Sequence, residues 1–220
     1  MKHFGITDRK IEDYLEAHLP PRESVLLDME AQAARENVPI IGPVEGQFLY
    51  TLALAASAKE MLDVGTAIGY SAMWLALAAR ESEGRVVTIE KDPARAAWAE
   101  AYFRQAGLAD VCAVRRGDAQ SIMRGMQESF DLIFLDILTQ FDRAATALEM
   151  LDLCLMLLHP GGLLLSDNAL RSGRVLNPTH EDPSTRGIAD FNEAIINHPR
   201  LVSSIVPLRD GVSVSVKRET

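Results

Sequence analysis

The sequence lacks the features that would carry the chain out of the cytosol or commit it to a nucleic acid. Only two cysteines occur in 220 residues, Cys112 and Cys154, each inside an apolar segment with no Cys or His at metal-site spacing. Two buried, reduced thiols are the expectation, not a disulfide framework. The N-terminus, Met-Lys-His-Phe-Gly-Ile-Thr-Asp, has no apolar signal core, and no apolar run approaches the about 18 residues of a membrane span. A cytoplasmic protein with no membrane partner is expected. Basic residues are outnumbered 22 to 31, for a net charge of −9, which argues against tight nonspecific binding to phosphate backbones but leaves room for a local basic patch. Repeats and low-complexity tracts are absent as well.

What is present is the pattern of an α/β domain with a full core. The stretch Glu60-Met-Leu-Asp-Val-Gly65-Thr-Ala-Ile-Gly69-Tyr-Ser71 runs from an apolar strand through a glycine turn into the helix formers of 71–79. Gly65 and Gly69 let a ligand approach the backbone, and the helix directs its free N–H groups toward the same corner. The dinucleotide fingerprint G-x-G-x-x-G is not met, because Ala67 stands where its second glycine belongs. Adenosine without a pyrophosphate therefore fits better than NAD. A second strand, Arg85 to Glu90, ends in an acid about 20 residues after the turn, where ribose hydroxyls lie in a Rossmann-like site. Taken alone, the turn also reads as an ordinary βα corner with a solvated Glu90.

Strands are expected near 61–64, 86–90, 111–115, 132–136 and 163–166, and helices near 70–79, 93–106, 120–127, 143–158 and 185–197. Leu201–Leu208 and Val212–Lys217, joined by Arg209-Asp210-Gly211, read as an antiparallel hairpin added to a parallel sheet. The fold class is thus a Rossmann-like, mostly parallel, seven-stranded sheet with helices on both faces. It forms a single domain, with residues 1–58 as a helical extension that packs on the core or a partner subunit and 59–220 as the core. Residues 37–43 are expected to be an irregular loop, 46–58 a helix, and the Arg-, Gly- and Pro-rich segment 170–183 a substrate-side lid.

Two further strands end in polar groups, Leu132 to Asp136 and Gly162 to Ser166-Asp167-Asn168. In a parallel sheet, Asp136, Asp167 and Asn168 lie on the same edge as Gly65 and Glu90, and as an all-oxygen set they suit Mg²⁺ or Ca²⁺. Singly, each acid also reads as the cap of the next helix or turn.

The chain resembles the class I, S-adenosylmethionine (SAM)-dependent, metal-dependent O-methyltransferases, the group that contains catechol and caffeoyl-CoA methyltransferases. The resemblance runs from about Ile11 to Lys217 and rests on Asp63 to Ser71, Glu90-Lys-Asp-Pro93, Gly117-Asp-Ala119, Phe130 to Asp136, Pro160-Gly-Gly162 and Asp167-Asn168. It implies that Asp63, Gly65 and Ser71 hold the methionine part of SAM, Glu90 the ribose, and Asp118 and Ala119 the adenine. Ile41 and the Gly46 turn would close over the cofactor. Asp136, Asp167 and Asn168 would be the metal ligands and act in catalysis through the metal, with Asp136 also bordering the cofactor. One position departs from the family pattern. Its general-base lysine, three residues after the first metal-binding Asp, is Thr139 here, and a threonine hydroxyl is far too weak a base near pH 7.

Acidification of the acceptor by the metal alone is the first explanation of that departure. The others are a base from His180 or Lys91, a different substrate, or lost activity. Asp142 and Arg143 stand close enough in sequence to touch a substrate. The resemblance implies a small catechol-like aromatic acceptor and a homodimer. The alternatives are methylation of 5-hydroxyuridine in tRNA, with Arg171, Arg174 and Arg186 as phosphate contacts, and a SAM-binding protein that no longer catalyses.

Overall fold

The computed structural model describes residues 6–141, 144–178 and 182–219. Its centre is a seven-stranded sheet of β1 (Glu60–Val64), β2 (Arg85–Glu90), β3 (Cys112–Arg116), β4 (Phe130–Leu135), β5 (Leu158–Ser166), β6 (Leu201–Val206) and β7 (Val212–Lys217). The spatial order is β3-β2-β1-β4-β5-β7-β6. The first five strands pair in parallel, and β7 lies antiparallel between β5 and β6. The hairpin expected from Asp210-Gly211 is present, with Gly211 at φ +85° where a side chain would be strained.

The central strands are mostly apolar because both faces are covered. Alternate residues serve opposite cores. Met61, Leu132, Phe134 and Leu165 pack with α2 (Ser24–Glu36), α3 (Gly42–Ala55), α4 (Tyr70–Ser82) and α5 (Pro93–Gln105). Leu62, Val64, Ile133, Leu135 and Leu164 pack with α6 (Ala119–Arg124), α7 (Ala144–Leu157) and α8 (Pro183–Asn197). Both cysteines are free and buried in these cores, and burial pushes the Cys154 thiol up to about 12.

The N-terminal helices divide in role. Helix α2 buries Val25, Leu26, Met29 and Ala33, and its Glu30 accepts the Tyr70 hydroxyl of α4 at 2.7 Å while pairing with Arg22 at 3.0 Å. The first helix, α1 (Arg9–Ala17), buries no residue and leaves Ile11 and Tyr14 exposed. Among the described residues, no helix is long and apolar enough to cross a membrane.

Two expectations change around α3. Residues 42 and 43 do not belong to a loop, since Pro43 occupies the first turn of α3, where its fixed φ and missing N–H cost nothing. Gly46 is then not a turn residue but a buried residue inside α3, and a Cβ there would lie 2.0 Å from Trp74 Nε1 of α4. The glycine exists so that the indole can lie against the helix backbone.

On an exposed helix, Gly→Ala stabilises by up to about 1 kcal/mol. Gly46→Ala is expected to do the reverse and lower urea-measured stability by about 1–3 kcal/mol, the usual cost of overpacking. A gain would show that Trp74 moves aside at no cost.

Candidate active site

The carboxyl ends of β1, β2, β4 and β5 open into one cleft of about 620 Å³. The cleft lies where the strand order reverses between β1 and β4, the position at which doubly wound sheets take their ligands. One end is lined by Gly65, Ala67, Glu90, Lys91, Asp118 and Ala119, and the other by Asp136, Thr139, Asp167, Asn168 and Arg209.

At the first end Gly65 has φ +108°, and a Cβ on it would stand 2.7 Å from the Asp136 carbonyl oxygen, so this turn admits only glycine. Glu90 is nearly buried, and its two oxygens accept the N–H groups of Ala67 and Asp92, each at 2.8 Å. The acid is thereby held at the cleft wall with acceptor capacity to spare. Asp118 caps α6 by accepting the Ser121 N–H at 2.9 Å, and these backbone and hydroxyl bonds hold its carboxyl below the usual range. Its capping role and its place on the cleft wall coexist.

Asp63 and Ser71 lie beneath the cleft, both buried and neither on its wall. Asp63 accepts the Thr88 hydroxyl across the β1–β2 register at 2.5 Å. Burial raises its pKa from 3.8 to about 6, against the opposing pull of the Thr88 and Ser71 hydroxyls. Ile41 is also placed off the wall. It is buried in the core at the start of α3, and Val38, Pro39 and Ile40 form the wall there. The α4 N-terminus, Gly69 to Ser71, likewise sits behind Gly65 and Ala67 and not on the cleft surface.

At the second end the sheet register brings two acids together. Leu135 pairs with Ser166, so Asp136 and Asp167 follow side by side. Burial pushes both carboxyls up, and their mutual repulsion pushes Asp136 further. Asn168, in the left-handed region at φ +62°, turns back so that its N–H and its amide both donate to Asp167, at 2.5 and 2.9 Å. Thr139 lies on the wall beside Gln140, which accepts Lys91 Nζ at 2.8 Å. Lys91 is therefore tied across the cleft by an amide. His180, Asp142 and Arg143 lie outside the described residues.

Two groups that sequence reasoning did not single out complete this end. Glu45 of α3 has no exposed surface, and Arg209 of the β6–β7 turn approaches it with Nη1 3.5 Å from its carboxylate. Neither has a local motif, and the contact joins positions far apart in the chain. Of the expected lid, residues 179–181 lie outside the described residues, and its first part is a turn with Arg171, Ser172 and Gly173 all at positive φ, where Asp210 accepts the Ser172 N–H. Arg171 and Arg174 line the cleft, whereas Arg186 pairs with Asp190 along α8 and is not on its wall.

Among the described residues, no three His, Cys, Asp or Glu side chains gather as a metal-holding group. Two carboxylates and an amide are a smaller but chemically consistent set. Carboxylates that repel one another, Asp167 buried and Asp136 half-buried, are short of positive charge, and hard oxygens suit Mg²⁺ or Ca²⁺.

Sheet order and cleft define a Rossmann-like enzyme that takes its ligands at the carboxyl edge. The family model described as O-methyltransferase matches residues 22–218. The chain belongs to that O-methyltransferase family. A catechol O-methyltransferase of Niastella koreensis is 34% identical over 188 residues, 83% of this chain and 82% of that protein. The mouse catechol O-methyltransferase domain-containing protein 1 is 33% identical over 79% of this chain and 66% of its own length. The Bacillus cereus O-methyltransferase, solved in complex with SAH, superposes with a TM-score of 0.83 at 31% identity, covering 95% of this chain and 97% of that one.

The raised pKa of Asp63 fixes a sign for pH dependence. A folded-state value near 6 against 3.8 in the unfolded chain favours folding most below about pH 4, and that contribution is lost as the pH rises through 6. Asp63→Asn removes this titration, so the fall in urea-measured stability between about pH 4 and 7 should shrink by at most on the order of 3 kcal/mol. An unchanged pH profile would show that Asp63 is not the group responsible.

Proposed function

We propose that this methyltransferase moves the methyl group of SAM to a hydroxyl of a small catechol-like aromatic held beside a divalent cation. The observation that supports the reading is the arrangement of the cleft, with Glu90, Asp118 and Ala119 at one end and Asp136, Asp167 and Asn168 at the other. SAM brings the methyl on a sulfonium. The Glu90 carboxylate, preset by two backbone N–H groups, would accept the ribose hydroxyls, and the missing Cβ of Gly65 leaves room for the cofactor's methionine part. Asp63 and Ser71 would support the turn from below, an indirect role that suits their burial.

Asp136, Asp167 and Asn168 would hold the cation, whose Lewis acidity lowers the pKa of an acceptor hydroxyl. The cleft walls orient the acceptor toward the methyl, and such alignment is a large part of group-transfer catalysis. Thr139 takes no proton in this scheme; the acidified hydroxyl gives its proton to water in the open cleft, the O–CH₃ bond forms as the S–CH₃ bond breaks, and neutral SAH leaves. Lys91, bonded to Gln140, is placed to hold the wall rather than to serve as a base.

A tRNA acceptor carrying 5-hydroxyuridine is the second reading, favoured by Arg171 and Arg174 beside the cleft. Against it, Arg174 is paired with Asp182 at 3.1 Å, and the chain carries a net charge of −9. We also propose a homodimer in which α1, with exposed Ile11 and Tyr14, contributes to the contact. Light scattering at micromolar concentration should give twice the mass of one chain, and a single-chain mass would refute the dimer.

Radiolabelled methyl transfer to a simple catechol should require a divalent ion, vanish in excess EDTA, and be lost in Asp167→Ala. Transfer that persists in EDTA would remove the metal from the scheme. No transfer to catechol, with SAH still bound, would favour hypomodified tRNA as acceptor, and failure there too would leave a SAM-binding protein without catalysis. Glu90→Ala should weaken SAM binding about tenfold or more by calorimetry, the worth of a charge-assisted hydrogen bond, and unchanged affinity would remove the ribose contact. Thr139→Ala should change kcat less than about threefold, because no proton passes through that hydroxyl.

A further inference from the structure

Behind the two cleft acids stands a third, and it belongs to an element that the methyl-transfer scheme does not use. Glu45 projects from the first turn of α3, has no exposed surface, and neither of its oxygens is met by an N–H or hydroxyl donor, its side-chain contact being with the Asp167 carboxyl. A fully buried carboxylate in that condition is costly unless a charge compensates it. Burial pushes the Glu45 carboxyl well above its usual range, the neighbouring Asp167 and Asp136 push the same way, and Arg209 is the charge that pulls it back.

Arg209 enters from the C-terminal hairpin, whose turn lies at the same carboxyl edge of the sheet as the cleft. It sits in the β6–β7 turn at φ +51°, a conformation that side chains rarely adopt, and its carbonyl accepts the Ile6 N–H at 2.8 Å. Its Nη1 lies 3.5 Å from Glu45 Oε2 and 3.4 Å from the Ile40 carbonyl oxygen. Gly42 leaves space for it, since a Cβ at that position would stand 3.4 Å from the guanidinium carbon. Of the other cleft cations, Lys91 bonds Gln140, Arg171 bonds Ser184, Arg174 pairs with Asp182, and Arg95 lines the cleft from the first turn of α5. Arg209 is the cation whose charge reaches Glu45, Asp136, Asp167 and Asp210 alike.

We propose that Glu45 and Arg209 form a built-in counter-charge that sets how tightly the Asp136–Asp167–Asn168 end of the cleft holds a divalent cation. Arg209 is the resident positive charge with which the ion must share the carboxylates. Glu45 holds that charge back on the α3 side, so that the cleft-facing oxygens stay free. Both act as positioning residues, through the carboxylates and not on the acceptor. The inference rests on the metal-dependent reading of the cleft given above.

The two residues therefore have opposite effects. Removing Arg209 leaves the site more negative and tightens ion binding. Neutralising Glu45 leaves Arg209 untethered beside Asp167 and weakens it. A defect in packing alone would move both in the same direction.

The test is a titration of the cofactor-free protein with Mn²⁺, reading free ion by electron paramagnetic resonance, with circular dichroism melts to confirm folding. Arg209→Met should bind Mn²⁺ at least about tenfold more tightly, Glu45→Gln at least about tenfold more weakly, and Arg209→Lys within about threefold of the parent, since tenfold is what one unit charge about 6 Å from a divalent ion is worth even at a water-like dielectric constant of about 80. The Glu45→Gln/Arg209→Met double variant should return close to the parent affinity. If folded Arg209→Met binds Mn²⁺ no more tightly than the parent, the proposal is overturned. Should Arg209→Met fail to fold, Glu45→Gln decides: weaker binding supports the counter-charge and unchanged binding overturns it. A parent protein that binds no Mn²⁺ refutes the metal reading itself. A parent that binds it, loses it in Asp167→Ala, and is indifferent to Arg209 and Glu45 refutes only the counter-charge.

Discussion

Asp136 and Asp167 follow the ends of adjacent parallel strands and are held side by side at the cleft wall, so positive charge is needed to balance their repulsion. Much of the surrounding structure follows from that requirement. Asn168 turns into the left-handed region to bring two N–H donors to Asp167. Arg209, from the C-terminal hairpin, lines the same end of the cleft, and its charge pulls both carboxyls down against the effect of burial. An all-oxygen site of this charge is the setting in which a hard divalent ion supplies what the protein lacks.

The opposite end of the cleft works by shape and hydrogen bonding, with less dependence on charge balance. Gly65 clears the floor beside the Asp136 carbonyl, and Glu90 is preset by the N–H groups of Ala67 and Asp92. Asp63, buried below and bonded to Thr88, ties β1 to β2 at the point where the turn leaves the sheet. The two ends meet at Asp136, whose backbone N–H bonds Val64 while its carboxylate faces Asp167 across the strand end. In the proposed function, this geometry would let one cleft serve both a nucleoside and an acceptor. Membership of the O-methyltransferase family agrees with that division.

Much of this was legible in the sequence wherever the signal is local. The strands announce themselves as apolar runs because both faces of the sheet are covered, and Asp136, Asp167 and Asn168 could be placed on one edge from parallel topology alone. The N-terminal boundary of α3 was less legible, because Gly42-Pro43 reads as a loop until the first-turn tolerance of proline is applied. Ile41 and Ile40 illustrate a limit of one residue, since neighbours on a bend face opposite ways and only the second lines the cleft. Gly46 looked like a turn because its true reason, the Trp74 indole, lies on another helix. Glu45 and Arg209 carry no motif, and only the folded chain brings them together.

The most direct measurement is a crystal structure of the protein grown with SAH and Mn²⁺, using the anomalous signal of the ion to locate it. The account predicts one Mn²⁺ bonded to oxygens of Asp136, Asp167 and Asn168, with the SAH ribose against Glu90 and its sulfur facing the ion's end of the cleft. An ion bound elsewhere, or an ordered SAH whose ribose lies away from Glu90, would contradict it.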